Sequence, residues 1–399
     1  MGEHEQLSTY GTLKNIFKVI YAPQKAFKEI SQNPKYIGPI LIMILFAAAN
    51  MGYVYTIVSK TYVEQTLPTA EQLDIWTENK TLWTTPLLSV AVEDNFVDYI
   101  NGTYYGNRSI EFSINNSKQI SMQLSAIGPI NCSGQDGYKN LYSRIKWISP
   151  EVNPENATIY LFSATSSDYF YYNLTEKFSN PSSNVWNNLT ISLDSTLWNS
   201  SANANANWGN ITGLKLEFAW HDDSNITLLV DGLFFGGIFK SEAENATSYM
   251  LNFSIVSFMQ FTIRWVFLGG LLYIMTKAFR AKTVWRPLLI LVGFALVTMF
   301  VQAVINAATF STLPTLFYRF ELLGGVNGES ENAYNEILNN TWLVSQINGY
   351  IQIAVHFWTI ALCAIATRLL AEFSWSKSVL IATVAYFVTI MAQSFILGI

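Results

Sequence analysis

The sequence is poor in charge, histidine and cysteine. Only 13% of its 399 residues are charged, against roughly 25% in soluble globular domains, which argues against an ordinary cytosolic enzyme. Its three histidines disfavour a multi-histidine metal centre. The sequence has no glycine-rich phosphate loop, His-Glu-X-X-His zinc helix or Gly-X-Ser-X-Gly elbow. A disulfide between the two cysteines is implausible, because Cys132 lies in a polar block and Cys363 in an apolar stretch.

Long apolar stretches are what the sequence does have. Each is long enough for a helix that crosses a bilayer, which needs about 20 residues. They cover 36–58, 250–276, 287–310, 347–371 and 378–398. The intervening block 60–248 has no such stretch, so a water-exposed domain is inserted after the first helix.

The charges predict which loops face the cytoplasm. Basic residues flank the spans at Lys14, Lys18, Lys25, Lys28, Lys35, Lys277, Arg280, Lys282, Arg286, Arg368 and Lys377. Block 60–248 instead has 10 basic against 20 acidic residues. By the positive-inside rule the N-terminus is cytoplasmic, and 59–249, 311–346 and the C-terminus are outside.

Asparagine glycosylation acceptors agree with that orientation. Block 60–248 holds twelve Asn-X-Ser/Thr triplets, where chance predicts about four, and the predicted cytoplasmic segments hold none. With one more in the second outer loop, the acceptors are Asn79, Asn101, Asn107, Asn115, Asn131, Asn156, Asn173, Asn188, Asn199, Asn210, Asn225, Asn245 and Asn339. The alternative is an Asn- and Ser-rich surface without glycans.

The segment before the first span is an amphipathic lead. Leu13, Ile16, Phe17 and Ile20 recur at helical spacing, and Pro23 opens a second short helix. The two helices are suited to lie at the inner membrane surface, to pack beneath the helix bundle, or to do both at once.

The order of these features resembles the Yip1 family. The features are the basic lead with Pro23, Ala26 and Phe27, then Asn33-Pro34, then a Gly38-Pro39 entry to the first of five spans. The resemblance covers about 1–58 and 250–399 and implies a non-enzymatic membrane protein; eukaryotic members act in vesicle trafficking and contact small GTPases. The large insertion and the lack of an Asp-Tyr-Gly-Pro type segment argue against GTPase contact here. Dense acceptors and the absence of an organelle signal favour an archaeal plasma membrane, with a eukaryotic endomembrane as the alternative.

The sequence of block 60–248 indicates β-structure. Apolar and polar residues alternate in several runs, as in half-buried strands. The runs are 110–114, 120–127, 141–148, 158–164, 169–174, 188–193, 214–220 and 226–235. This number of strands predicts an all-β sandwich or jelly roll. Residues 186–235 resemble the last strands of carbohydrate-binding jelly-roll modules, which often close on a Val-Asp-Gly-Leu strand.

The predicted fold class is therefore a membrane all-α bundle of five transmembrane helices plus an inserted all-β extracytoplasmic sandwich. The predicted segments are a cytoplasmic lead (1–35), the first helix (36–58), the sandwich (86–240) and helices two to five (250–399).

Two kinds of outer site are candidates. Glu93, Asp94 and Asp231 could hold a structural Ca²⁺, with a capped strand end as the alternative. His221-Asp222-Asp223 reads as a solvated turn rather than a metal site. Five tyrosines could stack on sugar rings, although aromatic residues are common in strands anyway: Tyr104, Tyr105, Tyr169, Tyr171 and Tyr172.

Polar residues inside the spans form a third candidate. They are Asn50, Gln260, Arg264, Gln302, Asn306, His356 and Gln393. A shared cavity is geometrically allowed, and hydrogen bonding that only fixes helix packing is the alternative.

The functional hypothesis is a non-enzymatic protein of the lipid bilayer that displays the sandwich to an envelope glycan or a surface protein, with no nucleic acid as partner. The alternative is a transporter or transport accessory with an intramembrane cavity.

Overall fold

The computed structural model describes residues 2–87, 89–201 and 205–398, and side chains there except those of 2–10 and 70. Met1 and Ile399, the outer ends of the predicted segments 1–35 and 250–399, lie outside this description. The chain forms two compact units. One is helical and comprises 1–61, 241–316 and 340–399, and the other comprises Tyr62–Lys240 and Phe317–Asn339.

Five helical segments are long and apolar enough to cross a membrane. They are Ile37–Val58, Glu242–Ala278, Trp285–Phe310, Glu329–Ala371 and Trp375–Leu397. Each contains or nearly coincides with one predicted span, so the prediction of a five-helix membrane protein is confirmed. The helices are α1 (Gly2–Tyr21), α2 (Pro23–Gln32), α3 (Ile37–Val58), α4 (Ala246–Ala278), α5 (Trp285–Ala295), α6 (Val297–Phe310), α7 (Glu329–Ala371) and α8 (Trp375–Leu397).

The predicted Gly38-Pro39 entry makes a close helix contact. A Cβ added at Gly38 would lie 2.0 Å from the Phe294 ring, and one at Gly293 would lie 2.5 Å from Cβ of Pro39. Only glycine fits at either position, so α3 and α5 pack backbone to side chain here. The third span is interrupted at Leu296, where φ and ψ of −71° and 3° separate α5 from α6.

The amphipathic lead packs against the bundle. Ile16, Val19 and Phe27 are fully buried in the same apolar cluster as residues of α3 to α8. Phe17, on the predicted stripe, is instead 55% exposed. The packing interpretation of the lead is therefore observed, and the exposed aromatic ring also suits a membrane surface.

The second unit, called the β-unit, consists mainly of β-strands. Its strands are β1 (Thr61–Leu67), β2 (Trp83–Thr84), β3 (Ala91–Asn95), β4 (Ser109–Ile130), β5 (Asn140–Ser149), β6 (Asn156–Ser163), β7 (Thr165–Asn173), β8 (Asn187–Ser192), β9 (Asn199–Ser200), β10 (Ile211–Ser241) and β11 (Leu316–Tyr318). Every predicted run overlaps a strand. Four runs merge in pairs, because β4 and β10 are each one long strand.

Two layers arise because β4 and β10 form one long antiparallel ribbon with different neighbours at its two ends. The first half of β10 pairs with β6 and its second half with β5. The paired strands enclose one apolar core that includes Phe112, Trp147 and Phe218, as in a β-sandwich. The predicted fold class, a bundle with an inserted sandwich, is confirmed.

A segment that was predicted as a turn between two strands instead lies within one strand of the ribbon. His221-Asp222-Asp223 lies inside β10 as a bulge, where the register with β4 shifts between Ala219 and Ser224. His221 is exposed and lies 3.4 Å from Glu155. An irregularity at this point lets one strand turn from the first layer into the second.

The β-unit is larger than the predicted sandwich 86–240. It begins at Tyr62, because β1 joins the sheet, and it includes Phe317–Asn339 from the predicted loop 311–346. That loop is also partly helical, since α7 begins at Glu329 rather than near 347.

Candidate functional site

One face of the first layer carries polar and aromatic side chains away from the core. Along β10, Leu214, Leu216 and Phe218 are buried, whereas Lys215 and Glu217 are only partly buried. Strand alternation places the two sets on opposite faces. The register pairs Lys215 with Gln123 of β4 and Tyr160 of β6, and Tyr160 with Tyr171 of β7.

Three tyrosines form a cluster on this face. The ring of Tyr160 lies 5.5 Å from that of Tyr169 and 6.1 Å from that of Tyr171, and the latter two are 6.3 Å apart. Nζ of Lys215 lies 4.0 Å above the Tyr160 ring and 2.8 Å from Glu217. This group of Tyr160, Tyr169, Tyr171, Lys215 and Glu217 is called the tyrosine face below.

A groove of about 210 Å³ adjoins the tyrosine face. Its wall includes Tyr160, Lys215 and Glu217 together with polar groups of Gln119, Ser121, Asn156 and Thr158. Burial and the hydrogen bond with Glu217 raise the pKa of Tyr160 to about 12. Its hydroxyl therefore stays protonated, donates its one proton to Glu217 and can accept a hydrogen bond from a bound ligand.

The other predicted stacking tyrosines lie elsewhere. Tyr105 is fully buried, and Tyr172 packs on Trp198 at 5.5 Å between ring centroids. Tyr104 lines a separate cavity of about 580 Å³ between β1 and residues 318–323. Of the five, only Tyr169 and Tyr171 belong to the tyrosine face, and Tyr160 was missed because a lone tyrosine in a strand carries no distinguishing signal.

The three predicted calcium ligands are not brought together. Among the described residues, no group of three or more His, Cys, Asp or Glu side chains could hold a metal ion. Oδ1 of Asp94 accepts from the Lys80 N–H at 2.9 Å, and Glu93 is exposed. Asp231 is fully buried and pairs with a different acid, Asp74.

The Asp74 and Asp231 carboxyls form a hydrogen-bonded pair in the sandwich. Oδ2 of Asp231 accepts from the Ile100 N–H at 2.7 Å, and Oδ2 of Asp74 accepts from the Thr77 hydroxyl at 2.8 Å. Burial raises the pKa of Asp74. Burial, and then the neighbouring Asp74 charge, raise the pKa of Asp231 well above its usual range. The pair therefore retains a shared proton, as close carboxyls do.

Gly232 follows Asp231 in the predicted Val-Asp-Gly-Leu strand. Its backbone conformation and its close neighbours leave no room for a side chain. Its φ is +55°, and an added Cβ would lie 2.7 Å from the Tyr105 ring and 2.9 Å from Cδ of Arg144. Arg144 is itself fully buried, 2.8 Å from Glu329 and between the rings of Tyr105 and Phe320. This ion pair could not be predicted from the sequence, because Arg144 and Glu329 are 185 positions apart.

The polar residues of the spans meet in one cavity of the helical unit. Its volume is about 180 Å³. Its wall includes six of the seven predicted residues, Asn50, Gln260, Arg264, Gln302, Asn306 and His356, and also Gln352. The seventh, Gln393, accepts from Nε of Arg264 at 2.8 Å. Nδ1 of His356 lies 2.7 Å from the Tyr386 hydroxyl, and Nδ2 of Asn50 donates to Ser257 at 3.0 Å.

The predicted glycosylation acceptors lie almost entirely on the surface. Asn210 is half-buried, and the other twelve are exposed. Their side chains are therefore sterically open to modification.

Several solved structures align with the β-unit at low similarity. A family 11 carbohydrate-binding module from Clostridium thermocellum, in complex with a mixed-linked tetrasaccharide, is 14% identical, with 43% of this chain and 94% of that chain covered and a TM-score of 0.29. The family 30 module of a cellulosomal cellulase from the same organism is 10% identical, with coverages of 40% and 90% and a TM-score of 0.28. A β-1,2-glucanase from Parabacteroides distasonis is 16% identical, with coverages of 40% and 24% and a TM-score of 0.27.

No curated protein matches the chain. A family model does match it, over residues 224–397, and that model is the Yip1 domain. The matched range begins near the bulge of β10 and contains the last four apolar helices, whereas the lead and α3 lie outside it. The chain is thus a five-helix membrane protein whose predicted resemblance to the Yip1 family is confirmed over residues 224–397.

Proposed function

We propose that this protein is a non-enzymatic membrane protein whose β-sandwich faces outward and binds an envelope glycan on the tyrosine face. The observation that carries the proposal is the row Tyr171, Tyr160, Lys215 and Gln123, which are cross-strand neighbours on one side of the sheet.

The chemistry of the tyrosine face suits a sugar. Aromatic rings offer flat apolar surfaces at little cost in conformational entropy. Lys215, Glu217 and Gln123 supply donors and acceptors on the same face of the sheet, which hydroxyl groups of a glycan require. A protein partner of ordinary size would instead need roughly 800 Å² per side.

The outward orientation is supported by the basic loops and by the acceptors. Exposed asparagine acceptors are concentrated in the β-unit, and the loop between α4 and α5 carries Arg280 and Lys282. Both patterns favour a cytoplasmic N-terminus and an external C-terminus.

The test is binding of the full-length protein, in detergent, to a glycan array. Tyr160→Ala and Tyr171→Ala should each weaken binding by about 5- to 100-fold, since stacking on one ring is worth about 1–3 kcal/mol in comparable aromatic platforms. Tyr104→Ala is the matched control, because Tyr104 lines a different cavity, and it should bind as the unaltered chain does. No bound glycan, or equal loss in all three variants, would refute the proposal.

One acceptor needs its own control. Asn156 lines the groove, so a glycan attached there would compete with an added ligand. Asn156→Gln should therefore bind as well as or better than the unaltered chain if the groove is the site.

A second candidate function, transport or assistance to transport, is favoured by the cavity in the helical unit. Gln302→Cys and His356→Cys, in a chain without Cys132 and Cys363, should then react with a small water-soluble thiol reagent. The exposed Ser195→Cys is the positive control. Reaction of the control alone would remove this candidate.

A further inference from the structure

The membrane bundle contains a buried cation that no acid of the bundle can neutralise. Arg264 lies in the middle of α4 and is 8% exposed. None of the five apolar stretches 36–58, 250–276, 287–310, 347–371 and 378–398 contains Asp or Glu. The amide of Gln393 accepts the Nε proton, and this neutral group leaves the charge of the guanidinium uncompensated.

The cavity beside Arg264 is lined by neutral groups that can donate hydrogen bonds. Five carboxamides line it, each with two N–H donors: Asn50, Gln260, Gln302, Asn306 and Gln352. His356 adds a ring nitrogen, because its Nδ1 is occupied by Tyr386 and its Nε2 is not. The charge of Arg264 repels cations and favours an anion, and the amide N–H groups supply donors to it.

One hydrogen-bond acceptor in the cavity narrows the chemical class of the ligand. Oδ1 of Asn306 is buried without a hydrogen-bond partner among the described residues. Buried polar groups are normally satisfied, so a ligand carrying a hydroxyl as well as anionic oxygens would complete the site. Hydrogen phosphate has both.

We propose that this cavity binds a phosphate-type oxyanion with Arg264 as its counter-ion. Guanidinium pairs with phosphate oxygens in a bidentate geometry that lysine cannot reproduce. The volume of about 180 Å³ admits such an ion with a few waters, since about 10–15 Å³ already holds one water. The phosphate can belong to a free ion or to a lipid headgroup. The proposal does not depend on glycan binding by the sandwich.

The test uses the full chain in a sugar-based, phosphate-free detergent. Its melting temperature is followed against inorganic phosphate, and separately against phosphatidylglycerol, with sodium chloride at matched ionic strength as the reference. A ligand specific for the folded state raises the melting temperature with its concentration. A rise with inorganic phosphate identifies a free oxyanion site, and a rise with phosphatidylglycerol alone identifies a lipid headgroup site. No rise with either overturns the proposal.

Two arginine variants decide whether Arg264 is responsible. Arg264→Gln should weaken the apparent affinity by about tenfold or more, because a charge-assisted hydrogen bond contributes about 1.5–3 kcal/mol and 1.4 kcal/mol is tenfold. Arg368→Gln is the control, since Arg368 stacks on Trp375 at 4.2 Å and lies outside this cavity. An unchanged response in Arg264→Gln overturns the proposal, as does an equal loss in Arg368→Gln.

Gln302→Leu covers the case in which Arg264→Gln fails to fold. Gln302 lines the cavity without bonding Arg264, so its loss should lower the affinity while the chain still folds. An affinity for phosphate or phosphatidylglycerol unchanged by Gln302→Leu would overturn the proposal.

Discussion

Asp231 illustrates how the surroundings of a residue decide its role. A carboxylate before an apolar strand end suits a calcium ligand in the sequence, but in the structure its neighbour is Asp74 in the same buried pocket. Two adjacent buried carboxylates repel each other, and the repulsion is relieved when one of them keeps its proton. Asp231 therefore supports the fold as a hydrogen-bonding acid.

The first prediction is that Asp231→Asn reduces the pH dependence of stability. The folded pKa of Asp231 is raised, so the folded state holds the proton more tightly than the unfolded chain does. The pair contributes its full stability below about pH 3.9 and loses it as the pH rises toward the raised pKa. An amide at 231 does not titrate, although its NH2 group replaces an oxygen that accepts from the N–H of Ile100 or Gly232 at 2.7 Å. The variant should therefore melt at a lower temperature than the unaltered chain at pH 5, with a smaller change between pH 5 and pH 8.

The measurement is the melting temperature of the full chain in detergent at pH 5 and pH 8. Asp231→Ala should lower it at both pH values, because the N–H of Ile100 and the Asp74 carboxyl lose their partner, at about 1–3 kcal/mol. Asp136→Asn, at an exposed position, is the control. A pH dependence in Asp231→Asn equal to that of the unaltered chain would contradict the shared proton.

At the scale of elements, the segment Phe317–Asn339 is joined to the sandwich by a buried ion pair. The carboxylate of Glu329 contacts Arg144 of β5 at 2.8 Å and accepts from the Val326 N–H at 2.7 Å. Glu64 of β1 also accepts from the Phe320 N–H at 3.2 Å and from the Tyr142 hydroxyl at 2.8 Å. Two carboxylates thus fix this segment to the β-unit.

The second prediction is that Glu329→Ala destabilises the β-unit strongly. Removal of the partner leaves the fully buried Arg144 uncompensated, at about 3–5 kcal/mol. Glu329→Gln should cost less, since it retains hydrogen bonding. Glu336→Ala is the matched control: its pair with Arg319 is 3.5 Å long with both side chains half exposed, where such pairs contribute about 0–1 kcal/mol. Denaturant unfolding followed by tryptophan fluorescence measures all three, and similar midpoints for Glu329→Ala and Glu336→Ala would contradict the prediction.

The elements that sequence reasoning located are those whose signal is local. Apolar length gave the five spans, and alternation in 214–220 and 226–235 gave the strands of β10. Their fusion into one strand was not predictable, because polar His221-Asp222-Asp223 has the composition of a turn, whereas the strand continues through it as an irregularity between the paired positions Ala219 and Ser224. The start of α7 at Glu329 was missed for a related reason, since 329–346 is too polar to resemble a span.

The candidate sites also divide into those with a local signal in the sequence and those that depend on contacts between distant residues. The intramembrane polar residues could be found one by one, because any polar group in an apolar span stands out. Their meeting point followed from counting depth along each helix. The pairs Asp74 with Asp231 and Arg144 with Glu329 could not be found so, since each joins positions more than 150 residues apart.

For the whole molecule, the proposed orientation rests on two independent signals. Basic residues lie in the short segments next to the spans, and most of the exposed glycosylation acceptors lie in the β-unit. The glycosylation acceptors indicate the orientation only in a cell that has a glycosylation machinery. The basic residues beside the spans influence the orientation during insertion into any cell membrane. Agreement between them makes the orientation testable with a single membrane-impermeant probe.

The third prediction is that a sequence-specific protease added to intact cells cuts the β-unit and spares the loop between α4 and α5. A recognition site inserted after Ser195 lies in a turn that follows β8, and one inserted after Lys282 lies in the loop between α4 and α5. Ser195 and Lys282 are both exposed, and cleavage after lysis shows that each site is accessible to the protease. If the basic loop is cytoplasmic, only the first is cut before the cells are lysed, and both are cut afterwards. Cleavage after Lys282 in intact cells would reverse the orientation, and with it the tyrosine face would be cytoplasmic and unable to meet an envelope glycan.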